Sequence, residues 1–89
     1  MEVQYDKSFD KNLDRINDLK ILGKIKSVVL ECEESTSIFD IQNIKKMSGY
    51  SNFYRIKLGK YRIGIEFINK SIIRFITVKH RKDIYKKFP

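Results

Sequence analysis

Cysteine is almost missing from this 89-residue chain, and the single one, Cys32, excludes both an intramolecular disulfide and a cysteine-based zinc site. The same scarcity points to a reducing, cytoplasmic compartment. No apolar run approaches the roughly 20 residues that span a bilayer, and the N-terminus lacks the basic-then-apolar order of a secretory signal, so no membrane partner is expected. A lone proline, Pro89, and four glycines leave no linker, repeat or low-complexity stretch, which predicts one domain over residues 1–89. A domain of this size has few layers and no large enclosed pocket, so its substrate should lie on the surface. No group of Asp, His and Cys has metal-ligand spacing, and neither a metal nor another cofactor is expected.

Acidic residues are scarce in one half only. Residues 45–89 hold 13 Lys/Arg against Glu66 and Asp83, a balance of +11, whereas residues 1–44 hold 6 Lys/Arg against 9 acids, a balance of −3. An excess confined to one half implies one basic face, and such a face selects nucleic acid or an acidic protein that imitates it.

Periodicity predicts two layers. Glu2–Tyr5 reads as a short strand, after which Asp6 caps a helix whose apolar positions Phe9, Leu13 and Ile16 share one side. A second helix is predicted from Leu19 to Glu34, with Asn17 and Asp18 as candidate caps and Ile21, Ile25, Val28, Val29 and Cys32 along one stripe. Cys32 thereby reads as a small core hydrophobe. The polar run Glu33–Ser37 ends that helix, and residues 37–48 read as a loop with a short helical turn.

From Phe53 the period changes to two. Tyr54, Ile56 and Leu58 alternate with Arg55 and Lys57, and after Gly59-Lys60 the residues Tyr61, Ile63, Ile65 and Phe67 alternate with Arg62, Gly64 and Glu66. Glycine at the first central position suits a type II′ hairpin turn, which sets Leu58 opposite Tyr61, Lys57 opposite Arg62 and Ile56 opposite Ile63. Asn69-Lys70 signals a further turn into a third strand, Ser71–Lys79, with Ile72, Ile76 and Val78 expected on the apolar face and Arg74 breaking the pattern. His80–Phe88 reads as a short basic helical tail whose Ile84 and Phe88 touch the body.

The hairpin register concentrates cations on the face away from the helices. Lys57 meets Arg62 with Arg55 on the diagonal, although like charges in direct opposition destabilise a pair by a few tenths to about 1 kcal/mol. Phe53, Phe75 and Thr77 are expected to share this face, with Gly64 leaving an open patch in its middle. Cations interleaved with aromatic rings match single-stranded RNA, whose bases stack and whose phosphates pair with Arg and Lys. Arg55, Lys79, Lys82 and Phe75 are the expected RNA contacts.

The segment from Tyr54 to Ile63, YRIKLGKYRI, followed by His80-Arg81-Lys82-Asp83-Ile84-Tyr85, resembles the signature of the RelE/ParE superfamily of toxins from type II toxin–antitoxin pairs, and its RelE branch most. The resemblance covers nearly the whole chain. It implies an α+β RelE-like fold with two N-terminal helices on one face of an antiparallel sheet and a short C-terminal basic helical tail. It also implies an endonuclease that enters the ribosomal A site and cuts mRNA without a metal, through attack by the 2′-OH on the adjacent phosphate.

Residue by residue, the resemblance places Arg62 and Arg81 on the scissile phosphate and its transition state, where arginine binds bidentately without losing its proton. Lys57 would stand beside them, stabilising charge or accepting the 2′-OH proton if its neighbours lower its pKa. Tyr85 would position the nucleotide or share in proton transfer. Arg55 falls where relatives often have lysine, which keeps the charge but not a base. His80 is either a further catalytic group or a residue that orders the strand-to-tail turn. Glu66, a base in some cousins, reads here as a surface partner of Arg55. The implied partners are a cognate acidic antitoxin, the ribosome and mRNA. Two alternatives share the pattern: a ParE-like inhibitor of DNA gyrase and a non-catalytic RNA- or ribosome-binding module.

Overall fold

In the computed structural model, which describes residues 1–89, the chain runs β1 (Glu2–Tyr5), α1 (Lys7–Asp14), α2 (Leu19–Glu34), one 3₁₀ turn (Ile38–Asp40), β2 (Ile44–Lys46), β3 (Phe53–Leu58), β4 (Tyr61–Asn69), β5 (Ile72–His80) and α3 (Ile84–Lys87). Both long helices begin where a carboxylate can take up free N–H groups. Asp6 accepts from the Ser8 N–H at 3.0 Å, and Asp18 from those of Lys20 and Ile21 at 2.9 and 3.4 Å. The Ser8 hydroxyl also bonds Asp6, and together these bonds hold the Asp6 carboxyl below its usual range.

The five strands form one sheet in the order β1-β5-β4-β3-β2. β5, β4 and β3 are antiparallel as expected and β2 extends them in the same sense, but β1 joins the edge in parallel with β5, with Val3 beside Ile73 and Tyr5 beside Phe75. The hairpin has the predicted register: Leu58 pairs with Tyr61, Lys57 with Arg62 and Ile56 with Ile63. Gly59 carries φ +59° and Lys60 does not share its positive sign, as a type II′ turn requires. Alternation then sends Ile56, Ile63 and Ile65 into the core under α1 and α2, where they meet Phe9, Ile25, Val28 and Cys32. Each such side chain contributes about 1.5–3 kcal/mol when fully buried.

The third strand departs from the expectation. Opposite Gly64 and Ile65 of β4 stand Thr77 and Phe75 of β5, so Ile76 is the extra residue of a β-bulge. One inserted residue reverses the alternation on either side of it. Ile73, Phe75 and Val78 therefore face the helices rather than Ile72, Ile76 and Val78, and Arg74 takes its place on the outer face without breaking any pattern. Phe75, expected as an RNA contact, is fully buried with its ring edge-on to Phe9 at 5.3 Å, and cannot stack on a base. Thr77 is buried as well, its hydroxyl donating to the Asn12 carboxamide at 2.5 Å.

Residues 37–48 contain the expected helical turn and also β2, which was not anticipated. On the outer face a second small core forms: Met47, Ile84 and Phe88 pack together with Phe53 and Ile76. The C-terminal tail thus touches the body, as its spacing predicts, and covers the middle of the sheet. No helix is long and apolar enough to cross a membrane.

Candidate nucleic-acid interface

Pairing across three strands sets Lys57, Arg62 and Lys79 side by side in a single row on the outer face, since Arg62 is in register with Lys57 of β3 and with Lys79 of β5. The adjacent row begins with Lys45 and Arg55 and continues to Gly64 and Thr77. No carboxylate stands in either row. Glu66 lies one row further along, directly opposite Arg74, and accepts from the Asn52 carboxamide at 3.3 Å. Three cations in direct opposition cost the sheet stability, which a face with no ligand to bind would gain by substituting one of them.

The row ends beside the hairpin turn, and the turn fixes the geometry of both arginines. Arg62 folds back so that its Nη1 donates to the carbonyls of Gly59 and Tyr61, each at 2.8 Å. Those two bonds occupy one nitrogen and leave the Nε–Nη2 edge to receive an anion bidentately. Arg81 is placed by its backbone, whose N–H donates to the Lys60 carbonyl at 2.8 Å and extends the β4–β5 ladder by one step. The Gly59-Lys60 turn therefore anchors Arg62 by its side chain and Arg81 by its main chain.

Beyond Arg81 the chain turns twice. The Asp83 N–H donates to the His80 carbonyl at 2.8 Å and the Lys86 N–H to the Asp83 carbonyl at 3.1 Å, which brings α3 under the sheet. Ile84 is buried there, whereas Tyr85 is 63% exposed, with its ring available to solvent. Lys82 is exposed in the turn.

His80 does not join this group. It is in register with Tyr61, a helix-side position, and its ring stands edge-on to the Tyr61 ring at 6.2 Å. Its Nδ1 accepts the Lys82 N–H at 3.2 Å, so its visible work is to order the strand-to-tail turn. The open patch expected at Gly64 is also occupied, because the Phe88 ring lies over it. Beside Phe53 stands an exposed aromatic ring that periodicity does not reveal: Tyr50, 46% exposed, is edge-on to Phe53 at 5.6 Å, which in turn is edge-on to Phe88 at 5.6 Å. Its place between Gly49 and Ser51 gave no periodic signal. No cluster of His, Cys, Asp and Glu could hold a metal ion.

The arrangement matches known proteins along its whole length. Residues 3–85 match the family model described as the ParE toxin of type II toxin–antitoxin systems (parDE). Toxin RelE3 of Methanocaldococcus jannaschii is 46% identical over 90 residues, covering all of both chains. The RelB–RelE antitoxin–toxin complex from Methanococcus jannaschii superposes with a TM-score of 0.80 at 43% identity, covering 97% of this chain and 99% of that one. The RelBE2 toxin–antitoxin complex from Mycobacterium tuberculosis gives a TM-score of 0.69 at 15% identity, covering 90% and 96%, a likeness of fold alone.

Proposed function

The chain belongs to the RelE/ParE superfamily of toxins of type II toxin–antitoxin systems, and we propose that within it the protein is a ribosome-dependent endoribonuclease that cuts mRNA in the A site. The observation that carries this reading is the unneutralised row Lys57–Arg62–Lys79 ending at the turn that also anchors Arg81. In-line attack of a 2′-OH on the neighbouring phosphate builds negative charge on the phosphorane oxygens, and fixed cations aimed at that charge lower the barrier. Arg62 and Arg81 bind the phosphate, and Lys57 adds charge beside it. Tyr85 holds the nucleotide or passes a proton. Arg55, Lys79 and Lys82 hold flanking phosphates, while His80 works through the turn rather than on the substrate. The products are a 2′,3′-cyclic phosphate and a free 5′-OH.

The open sheet face has no walls to impose in-line geometry on a flexible strand, so the ribosome must supply it. An acidic antitoxin would neutralise the toxin by covering these residues or by displacing the tail that carries Tyr85, as an acidic, partly disordered segment ordered on the basic face.

The family model described as a ParE toxin supports a second reading, a gyrase inhibitor that cuts no RNA. Pulse labelling after induction separates the two. The nuclease reading predicts that amino-acid incorporation stops first, and an early stop in deoxynucleotide incorporation would replace it with the gyrase reading.

A further inference from the structure

β1 accompanies β5 only as far as Phe75, so beyond that residue the outer edge of β5 has no strand beside it. Helix α1 takes the strand's place for two steps. The Ser8 hydroxyl bonds the Ile76 carbonyl, and the Asn12 carboxamide oxygen accepts the Val78 N–H at 3.0 Å. Alternate residues of a strand turn their backbone groups to the same edge, so the next N–H on this edge is that of His80.

Here the edge opens into a cleft of about 300 Å³ between the end of α1 and α3. Arg15 and Lys87 line it from the two helices, Lys79 and His80 from the strand, and Asp83 from the turn. Because the Asn12 oxygen is committed to Thr77 and Val78, the other end of its carboxamide is a donor. Three cations, a carboxamide donor and an edge N–H against one carboxylate make a site for an anion. Lys79, which lines the cleft, is also the residue in register with Arg62, and His80 directly precedes Arg81. A polyanion leaving the Arg62–Arg81 end around the tip of β5 therefore arrives at this cleft.

We propose that the cleft binds a second backbone phosphate of RNA, with Arg15 and Lys87 as its charged arms. The proposal rests on the RNA-cleaving reading and adds a site on the opposite side of the β5 tip. Asp83 repels any anion, but it favours RNA over an acidic peptide because only RNA carries, beside the phosphate, a ribose 2′-hydroxyl that can donate a hydrogen bond to the carboxylate. The phosphate can belong to the strand being cut or to ribosomal RNA.

The test measures binding of the Arg15→Gln, Lys87→Gln double variant. One target is ribosomes programmed with an mRNA carrying a 2′-deoxynucleotide at the cut position, and the other is the same RNA free in solution, both across 50–300 mM salt. Affinity for ribosomes is expected to fall about tenfold, with a log–log salt slope shallower by about one. The single-turnover cutting rate of all-ribose mRNA at saturating enzyme should stay unchanged. An equal loss on free RNA assigns the phosphate to the cut strand, and a loss confined to ribosomes assigns it to ribosomal RNA. Wild-type affinity and slope in a double variant with an unchanged melting temperature would overturn the site and leave the nuclease reading standing. So would weakened binding to an oligo-glutamate peptide with RNA affinity intact. A wild-type protein that bound neither target would remove both.

Discussion

Phe88 lies over Gly64: a Cβ at position 64 would stand 2.9 Å from three carbons of the phenyl ring. The gap in the middle of the basic face is thus filled by the chain's own tail. Because Phe88 and Ile84 bury themselves there while Tyr85 stays exposed, the docking of one ring fixes where the tyrosine is presented.

Replacing Gly64 with alanine should therefore act through the tail. The added methyl requires the Phe88 ring to move, at a cost of about 1–3 kcal/mol for an overpacked site. Amide exchange at residues 84–88 is expected to speed up while the β3–β4 hairpin keeps its protection, and cleavage should fall with it. Uniform loss of protection across the sheet would show that Gly64 serves the strand rather than the tail.

Arg62→Ala and Arg81→Ala are each expected to lower A-site cleavage by on the order of 100-fold or more, the scale of removing one donor to developing charge. Melting temperatures should shift little, as neither side chain lies in the core. Arg62→Lys should not restore activity, because an ammonium cannot hold the Gly59 and Tyr61 carbonyls while presenting a bidentate edge to phosphate. Tyr85→Phe should be milder than Tyr85→Ala if stacking dominates, and equally severe if the hydroxyl moves a proton. Full activity in the double arginine variant would remove them from the mechanism.

Cys32 supplies a prediction about pH. Burial, with Glu31 adding to it, pushes the thiol up to about 12, so the folded state favours the protonated form. The unfolded thiol ionises near pH 8.5. Stability linked to Cys32 is therefore complete below that pH and is lost as pH rises towards 12, by at most about 1.4 kcal/mol per unit. At neutral pH a disulfide reagent should modify Cys32 only at the rate of unfolding. Rapid modification of the native protein would contradict the burial, and Cys32→Ala should flatten the alkaline decline.

What the sequence disclosed follows the range of the interactions. The hairpin register was legible because both its determinants are local: a period of two in each strand and Gly59 at the turn. The helix starts were legible for the same reason, with Asp6 and Asp18 ahead of apolar stripes. The bulge at Ile76 was not, since it depends on how β5 meets β4, and it accounts for the buried side of Phe75 and for the puzzle of Arg74, while Thr77 beyond it keeps the outer row and is buried by its bond to Asn12. The parallel pairing of β1 joins residues some 70 positions apart, Val3 with Ile73, and leaves no mark on either segment. The open patch expected at Gly64 is filled, because nothing in sequence alone tells a gap kept for a ligand from one taken by Phe88. Sequence leaves His80 open between a catalytic group and an organiser of the turn; its adjacency to Arg81 does not decide, because consecutive strand residues point to opposite faces.

At the centre of the proposed mechanism is the promotion of ribose 2′-OH attack by the Arg62–Arg81 end of the basic row. Its most direct test is cleavage of two ribosome-bound mRNAs that differ by a single 2′-deoxynucleotide at the cut position. The all-ribose message should be cut in the A site, leaving a 2′,3′-cyclic phosphate and a 5′-OH, and the substituted message should remain whole. Cutting of the substituted message at the same position, or an intact all-ribose message under conditions where the protein stops growth, would contradict the account.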